Sequence, residues 1–109
     1  MKLAVIISPY SGDVEDNVAY ARACVFDAIT QGHLPFASHL FYTQVLDDNN
    51  PEHRKMGMSL GHEMIRRADL ALVYLDRGKS DGMKEDIAFA HKHRTPIEEH
   101  WLSRWNPVG

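Results

Sequence analysis

Two short apolar runs constrain this chain more than any other feature: LAVII at Leu3–Ile7 and LALVYL at Leu70–Leu75. Each is too short for a core helix, and neither alternates with polar residues, so each reads as a strand buried on both faces. Such strands belong to parallel sheets covered by helices on both sides. The first run, extended to Lys2, stops at Ser8-Pro9-Tyr10-Ser11-Gly12-Asp13, a sequence of turn formers.

The intervening sequence supplies the helices. Val18, Ala21, Val25, Ala28 and Ile29 recur at helical spacing within Val14–Gln31, and Gly32 follows where a helix-ending glycine belongs. Leu34–Ser38 is a short second strand containing Pro35, and polar residues Asp47–Asn50 then lead to Pro51, suited to a helix's first turn. Glu52–Arg67 reads as a second long helix, with Gly57 and Gly61 on its apolar stripe. Each glycine costs about 1 kcal/mol of helix propensity, so a close neighbour, from this chain or another subunit, is expected there. Gly82–His93 is a third helix, Thr95–Glu99 an edge strand, and Trp101–Gly109 a tail. The alternation predicts one α/β domain over residues 1–109, a flavodoxin- or Rossmann-like three-layer sandwich on a parallel sheet of 4–5 strands.

Composition narrows the function. A net charge of −3 and scattered basic residues give no footprint for a nucleic-acid polymer. The longest apolar runs are far too short to cross a bilayer, and the N-terminal run lacks the length and cleavage site of a signal peptide. A single cysteine, Cys24, excludes an internal disulfide and fits a reducing compartment, so a cytoplasmic location is expected. The seven histidines show no zinc-site spacing; His91 and His93 are two apart and do not share a helix face. No metal and no organic cofactor are expected.

Ligands of such folds bind beyond the carboxyl ends of the strands. The loops Ser8–Asp13 and Asp76–Asp81 have the right character, with Ser, Gly and acids, but neither matches a phosphate-binding glycine fingerprint. The helix that follows carries adjacent acids, Glu85 and Asp86. At about 100° per residue, Asp86 falls beside the apolar face made by Met83, Ile87 and Ala90, whereas Glu85 points to solvent. His39, just after the short second strand, can reach the rim of the first loop, and Asn17 can cap or shape it. Trp101 and Trp105, four apart, are expected to pack as a pair.

The stretches SPYSGDVEDN, GHLPFASHL, RADLALVYLD and SDGMKEDIAFAHKHRTPI, in this order from about Leu3 to Ile97, resemble the nucleoside 2-deoxyribosyltransferase-like superfamily, in particular its small bacterial and phage members. The resemblance implies a flavodoxin-like fold acting on N-glycosidic bonds of deoxynucleosides or deoxynucleoside monophosphates, by base exchange or hydrolysis. The family's nucleophile, a glutamate four residues after a glycine and followed by isoleucine, aligns with Asp86 between Gly82 and Ile87. Tyr10 matches an aromatic residue that orients the nucleophile. Ser8, Ser11 and Gly12 match the loop lining the sugar or phosphate pocket. Asp69 and Asp76 match acids that hold base or sugar, and Ser80 a hydroxyl that helps bind phosphate. Gly82 and Met83 open the same helix and complete the expected substrate-binding set with Asn17 and His39. Homodimers or larger homo-oligomers are implied, with a neighbour completing the site.

Aspartate is one methylene shorter than glutamate, a retreat of roughly 1 Å that can cost about a hundredfold in rate. Glu85 stands by as a second acid able to protonate a departing base or to swing in. The rival to an enzyme is therefore a nucleotide-binding or sequestering module with weak or absent catalysis. A third class, an α/β interaction protein assembled through its tryptophans and the Gly57/Gly61 helix, predicts no nucleotide affinity.

Overall fold

The computed structural model describes residues 1–102. In chain order they form β1 (Leu3–Ile7), α1 (Val14–Thr30), β2 (Leu34–Phe36), α2 (Ser38–Phe41), a 3-10 turn at Tyr42–Gln44, α3 (Pro51–Arg67), β3 (Leu70–Tyr74), α4 (Asp81–Lys92) and β4 (Ile97–His100). The four strands are all parallel, in the order β2-β1-β3-β4. β1 and β3 take the two central places because they are the apolar runs; every residue of β3 is buried. The edge strands β2 and β4 carry the proline and the glutamates, whose exposure is harmless there.

Right-handed crossovers then determine the layers. The chain leaves β1 toward one edge through α1, and returns across the sheet to β3 through α3, so the two helices lie on opposite faces. Tyr20, Cys24 and Ala28 of α1 pack with Ala4, Ile6, Leu70, Leu72 and Tyr74. Ile65 of α3 with Met83 and Ala90 of α4 packs on Val5, Ile7, Ala71 and Val73. The result is the expected α/β sandwich.

Each helix starts on the cap its sequence offers: Asp13 accepts from the Asp16 amide, Asn50 from Glu52 and His53, and Ser80 from Met83. On the α1 face, the Tyr20 hydroxyl donates to Asp76 Oδ2 (2.6 Å) and the Tyr74 hydroxyl to Asp27 Oδ2 (2.7 Å). Burial and these carboxylate bonds push both phenol pKa values well above their ordinary range. Burial likewise pushes the Cys24 thiol up, so it is an inert core residue.

Two differences from the expected elements stand out. β2 ends at Phe36, and residues 38–44 coil into α2 and the 3-10 turn instead of continuing as a strand and loop. The ring contacts of Phe36 with Phe41 and Tyr42 hold that coil against the strand it leaves. The two α3 glycines meet this same segment: a Cβ on Gly61 would lie 3.5 Å from Ser38 Oγ, and one on Gly57 would lie 3.7 Å from Leu46 Cδ1. What faces them is thus within the chain, at ordinary contact distance, and no close approach demands a glycine at either position. Trp101 is exposed at 59%, and Trp105, its expected partner, lies outside the described residues. Among the described residues no helix is long and apolar enough to cross a membrane.

Candidate active site

Because β1 departs toward β2 on one side and the chain resumes at β3 on the other, the loops after β1 and β3 diverge and leave a crevice at the carboxyl ends of these strands. A cavity of about 570 Å³ occupies the α3/α4 side of this region, a size suited to a small organic ligand. Tyr10 and Ser11 come to it from the loop after β1, Ser38 and His39 from α2, and Ser80 to Asp86 from the start of α4. Its remaining wall is a stripe of α3, Arg54, Gly57, Met58, Gly61 and Ile65, at helical spacing. The two glycines lack side chains where this stripe faces the cavity, and so deepen it.

The first loop is tied down by α1. Asn17 is buried and its Nδ2 donates to the carbonyls of Tyr10 (3.0 Å) and Ser11 (3.1 Å). Gly12 turns the loop at φ +99°, a conformation few side chains tolerate. Tyr10 stacks on His39, ring centroids 5.0 Å apart. Burial lowers the His39 pKa, with Asp48 and a Ser8 backbone hydrogen bond acting weakly the other way, so the ring is neutral at pH 7.

Asp86 lies on the cavity wall one and a half turns into α4. Burial raises its pKa to about 6, with Glu85 adding to the rise and His62 opposing it. His62 Nε2, on α3, sits 3.1 Å from Asp86 Oδ1, and its ring stacks on Phe89 with centroids 4.3 Å apart. A carboxylate that remains ionised at neutral pH yet is more basic than usual is suited to nucleophilic attack or to stabilising a cation. Glu85 also lines the cavity but is exposed.

Of the residues singled out in the sequence, Tyr10, Ser11, His39, Ser80, Gly82, Met83, Glu85 and Asp86 line this one cavity. Ser8, Gly12 and Asn17 build the loop behind it; Ser8 is buried at the end of β1. Ser80 uses its hydroxyl to cap α4, accepting from Met83 N at 3.2 Å. Asp76 is occupied on the α1 face, receiving the Tyr20 hydroxyl and the Leu102 amide. Asp69 sits at the opposite end of the sheet, where its Oδ2 accepts from Leu3 N at 2.7 Å. Among the described residues no cluster of three or more His, Cys, Asp or Glu converges as a metal site.

Sequence reasoning singled out His39 but passed over His62 and the other residues between Ser38 and Arg54 that close the cavity. His62 follows Gly61 and precedes Ile65 by three residues, which places it at the border of the buried stripe. That was the available signal; its partner, 24 residues further on, was not.

The family model described as "Domain of unknown function (DUF7768)" matches residues 2–100, nearly the whole chain. The chain belongs to this DUF7768 family. Among curated proteins none matches the sequence. Solved structures that share the fold of this DUF7768 chain include two 2-deoxyribosyltransferases. One is a 2-deoxyribosyltransferase from Bacillus psychrosaccharolyticus, with a TM-score of 0.67 and 16% identity over 95% of this chain and 75% of that one. The other is a 2-deoxyribosyltransferase from Leishmania mexicana, with a TM-score of 0.61 and 16% identity over 93% of this chain and 65% of that one. At this identity the DUF7768 chain shares their architecture, and its chemistry has to be argued from its own residues.

Proposed function

We propose that this chain cleaves or exchanges the N-glycosidic bond of a deoxynucleoside or deoxynucleoside monophosphate, with Asp86 as the reacting carboxylate. The observation that carries the reading is Asp86 itself: a half-buried carboxyl, with its pKa raised to about 6, on the wall of the cavity at the carboxyl end of the sheet. The fold shared with two 2-deoxyribosyltransferases supports the substrate class.

In this reading an Asp86 oxygen donates a lone pair to the anomeric carbon as the carbon–nitrogen bond breaks. The bond's electron pair leaves with the base, which takes up one proton from solvent. Water or an acceptor base then attacks the same carbon, displaces Asp86, gives up its extra proton to solvent and restores the carboxylate. Developing oxocarbenium charge is stabilised by the adjacent carboxylate, as in glycosidases that pass through a covalent intermediate. Tyr10, held by its His39 stack and by Asn17, forms the wall facing the ligand, and Ser11, Ser80, Gly82 and Met83 complete the sugar-side surface. A homo-oligomer closing the open side is part of the proposal, and light scattering of the purified protein tests it.

The deciding experiment is chromatography of free base released from a panel of deoxynucleosides and their monophosphates, with and without acceptor base. Release lost in Asp86→Asn and kept in Glu85→Gln supports the reading. Thermal stabilisation by a panel member without turnover replaces it with a binding module. Neither turnover nor stabilisation removes both.

A further inference from the structure

His62 reaches Asp86 from a different helix and does not itself line the cavity, so whatever it does for a bound ligand passes through the carboxylate. Two independent contacts hold it there. Its Nε2 lies 3.1 Å from Asp86 Oδ1. Its ring lies flat on Phe89, planes 14° apart, and Phe89 in turn meets the His93 ring at a tilt of 35°, centroids 4.2 Å apart. Asp86 and Phe89 are three residues apart on α4, and His93 follows four residues later at the C-cap, so they form one strip along that helix and its end, on which His62 of α3 is docked.

Aspartate has only two side-chain torsions, and a hydrogen bond to one oxygen together with a helical backbone fixes both. With Oδ1 turned to α3, Oδ2 is the remaining oxygen. Among the described residues no hydrogen bond to Oδ2 accompanies the one at Oδ1. We infer that His62 is a positioning residue for Asp86: it holds Oδ1 against α3 and thereby presents Oδ2 to the ligand as the attacking oxygen. This rests on the reading of Asp86 as the reacting carboxylate. With its hydrogen on Nε2 the His62 ring donates to the carboxylate, and a shorter acid can work at this position because its one free oxygen is held in a single direction. Attack by Oδ2 forms the carbon–oxygen bond while the base departs with the glycosidic electron pair, and Oδ1 keeps the His62 hydrogen bond throughout.

The charged and titratable groups around Asp86 are few. His62 faces it from α3 and Glu85 adjoins it on α4. The cavity also presents Tyr10 from the first loop, His39 from α2, Tyr42 from the 3-10 turn, Asp48 from the loop before α3, His53 and Arg54 from α3, and Asp81 from the start of α4. Substitution at His62 leaves all of these in place.

The test is the titration of the Asp86 carboxyl carbon by NMR in the wild type, His62→Leu and His62→Gln, together with kcat and KM for base release. Leucine removes the hydrogen-bond donor; glutamine restores a donor at about the Nε2 position. The Asp86 midpoint is expected to rise in His62→Leu and to return toward wild type in His62→Gln. In parallel kcat is expected to fall about 10- to 100-fold in His62→Leu with KM within about threefold, in line with the cost of small misplacements. Phe89→Leu, which removes the stack and leaves the donor, separates packing from hydrogen bonding and is expected to move the midpoint little. An Asp86 midpoint unchanged in His62→Leu overturns the inference, as does a kcat loss in His62→Leu that glutamine does not recover. Base release undiminished in Asp86→Asn, or absent in the wild type, overturns the role given to Asp86 instead, while the NMR midpoints still report whether His62 holds it.

Discussion

His39 lies flat against Tyr10, ring centroids 5.0 Å apart and planes 24° from parallel, and so couples the helix after β2 to the loop after β1. Both rings line the cavity, and the stack is what keeps the Tyr10 ring against its wall. His39→Phe preserves the stack and is expected to keep ligand affinity; His39→Ala loses about 1 kcal/mol of aromatic pairing and weakens ligand binding by about fivefold. Thermal shift with a nucleoside panel measures both. The lowered His39 pKa also has a sign. The unfolded chain takes up its proton near 6.5 and the folded chain only at lower pH, so stability is lost as pH falls below 6.5. His39→Phe is expected to flatten that acid-side loss in melts between pH 5 and 7.

Asp86 acts in the opposite sense. Its folded pKa of about 6 exceeds the ordinary 3.8, so the folded state holds this proton more tightly. Stability from this group is full below 3.8 and declines as pH rises to about 6. Asp86→Asn is expected to be more stable than wild type above pH 6, by about 1–2 kcal/mol once partial exposure and the His62 pairing are allowed for. The same variant is expected to lose at least about a thousandfold in kcat, as removal of a nucleophile does. Urea titrations at pH 5 and 8 and the base-release assay check the two halves separately.

Activity is expected to rise with pH through an acid limb near 6 as Asp86 ionises. Glu85 raises the Asp86 pKa by its charge, so Glu85→Gln shifts that limb to lower pH by about a few tenths of a unit, less at high salt. A pH–rate profile of kcat/KM reads the shift. A limb that stays put would mean that another group sets it.

The α3 glycines carry a stability prediction with an unusual sign. A methyl group on either meets only ordinary contacts, 3.5 Å to Ser38 and 3.7 Å to Leu46. Gly57→Ala and Gly61→Ala are therefore each expected to stabilise, by about 0.5–1 kcal/mol through helix propensity. Both positions face the cavity, so Gly61→Leu is expected to fill it and abolish nucleoside-induced stabilisation. Melting curves with and without ligand distinguish the two effects.

Asp69 bonds the Leu3 amide at the amino end of the sheet, away from the cavity. Asp69→Ala is expected to cost about 1 kcal/mol of stability and to leave base release unchanged at a temperature where the variant is folded. A drop in kcat with intact folding would return Asp69 to the site by way of a neighbouring subunit.

Local chemistry made most of the fold legible. Two uninterrupted apolar runs can be covered only in the middle of a parallel sheet, and helical spacing with Asp13, Asn50, Ser80 and Pro51 at the helix starts determined where the chain crosses over it. The same periodicity set Asp86 apart from Glu85, because the angle between neighbours on a helix is a property of the backbone alone. Other features depended on what is near in space. Ser38–Phe41 coils instead of extending because Phe36, Phe41 and Tyr42 pack on one another and Ser38 lies against Gly61. Asp69 and Asp76 carry the same charge in similar loop contexts, yet sit at opposite ends of β3, bonded to Leu3 and Tyr20. His62 meets Asp86 only because α3 and α4 cover the same face of the sheet side by side. Periodicity is written into a sequence one element at a time, whereas the contact between two elements is a product of how both pack, and that the tertiary structure alone decided.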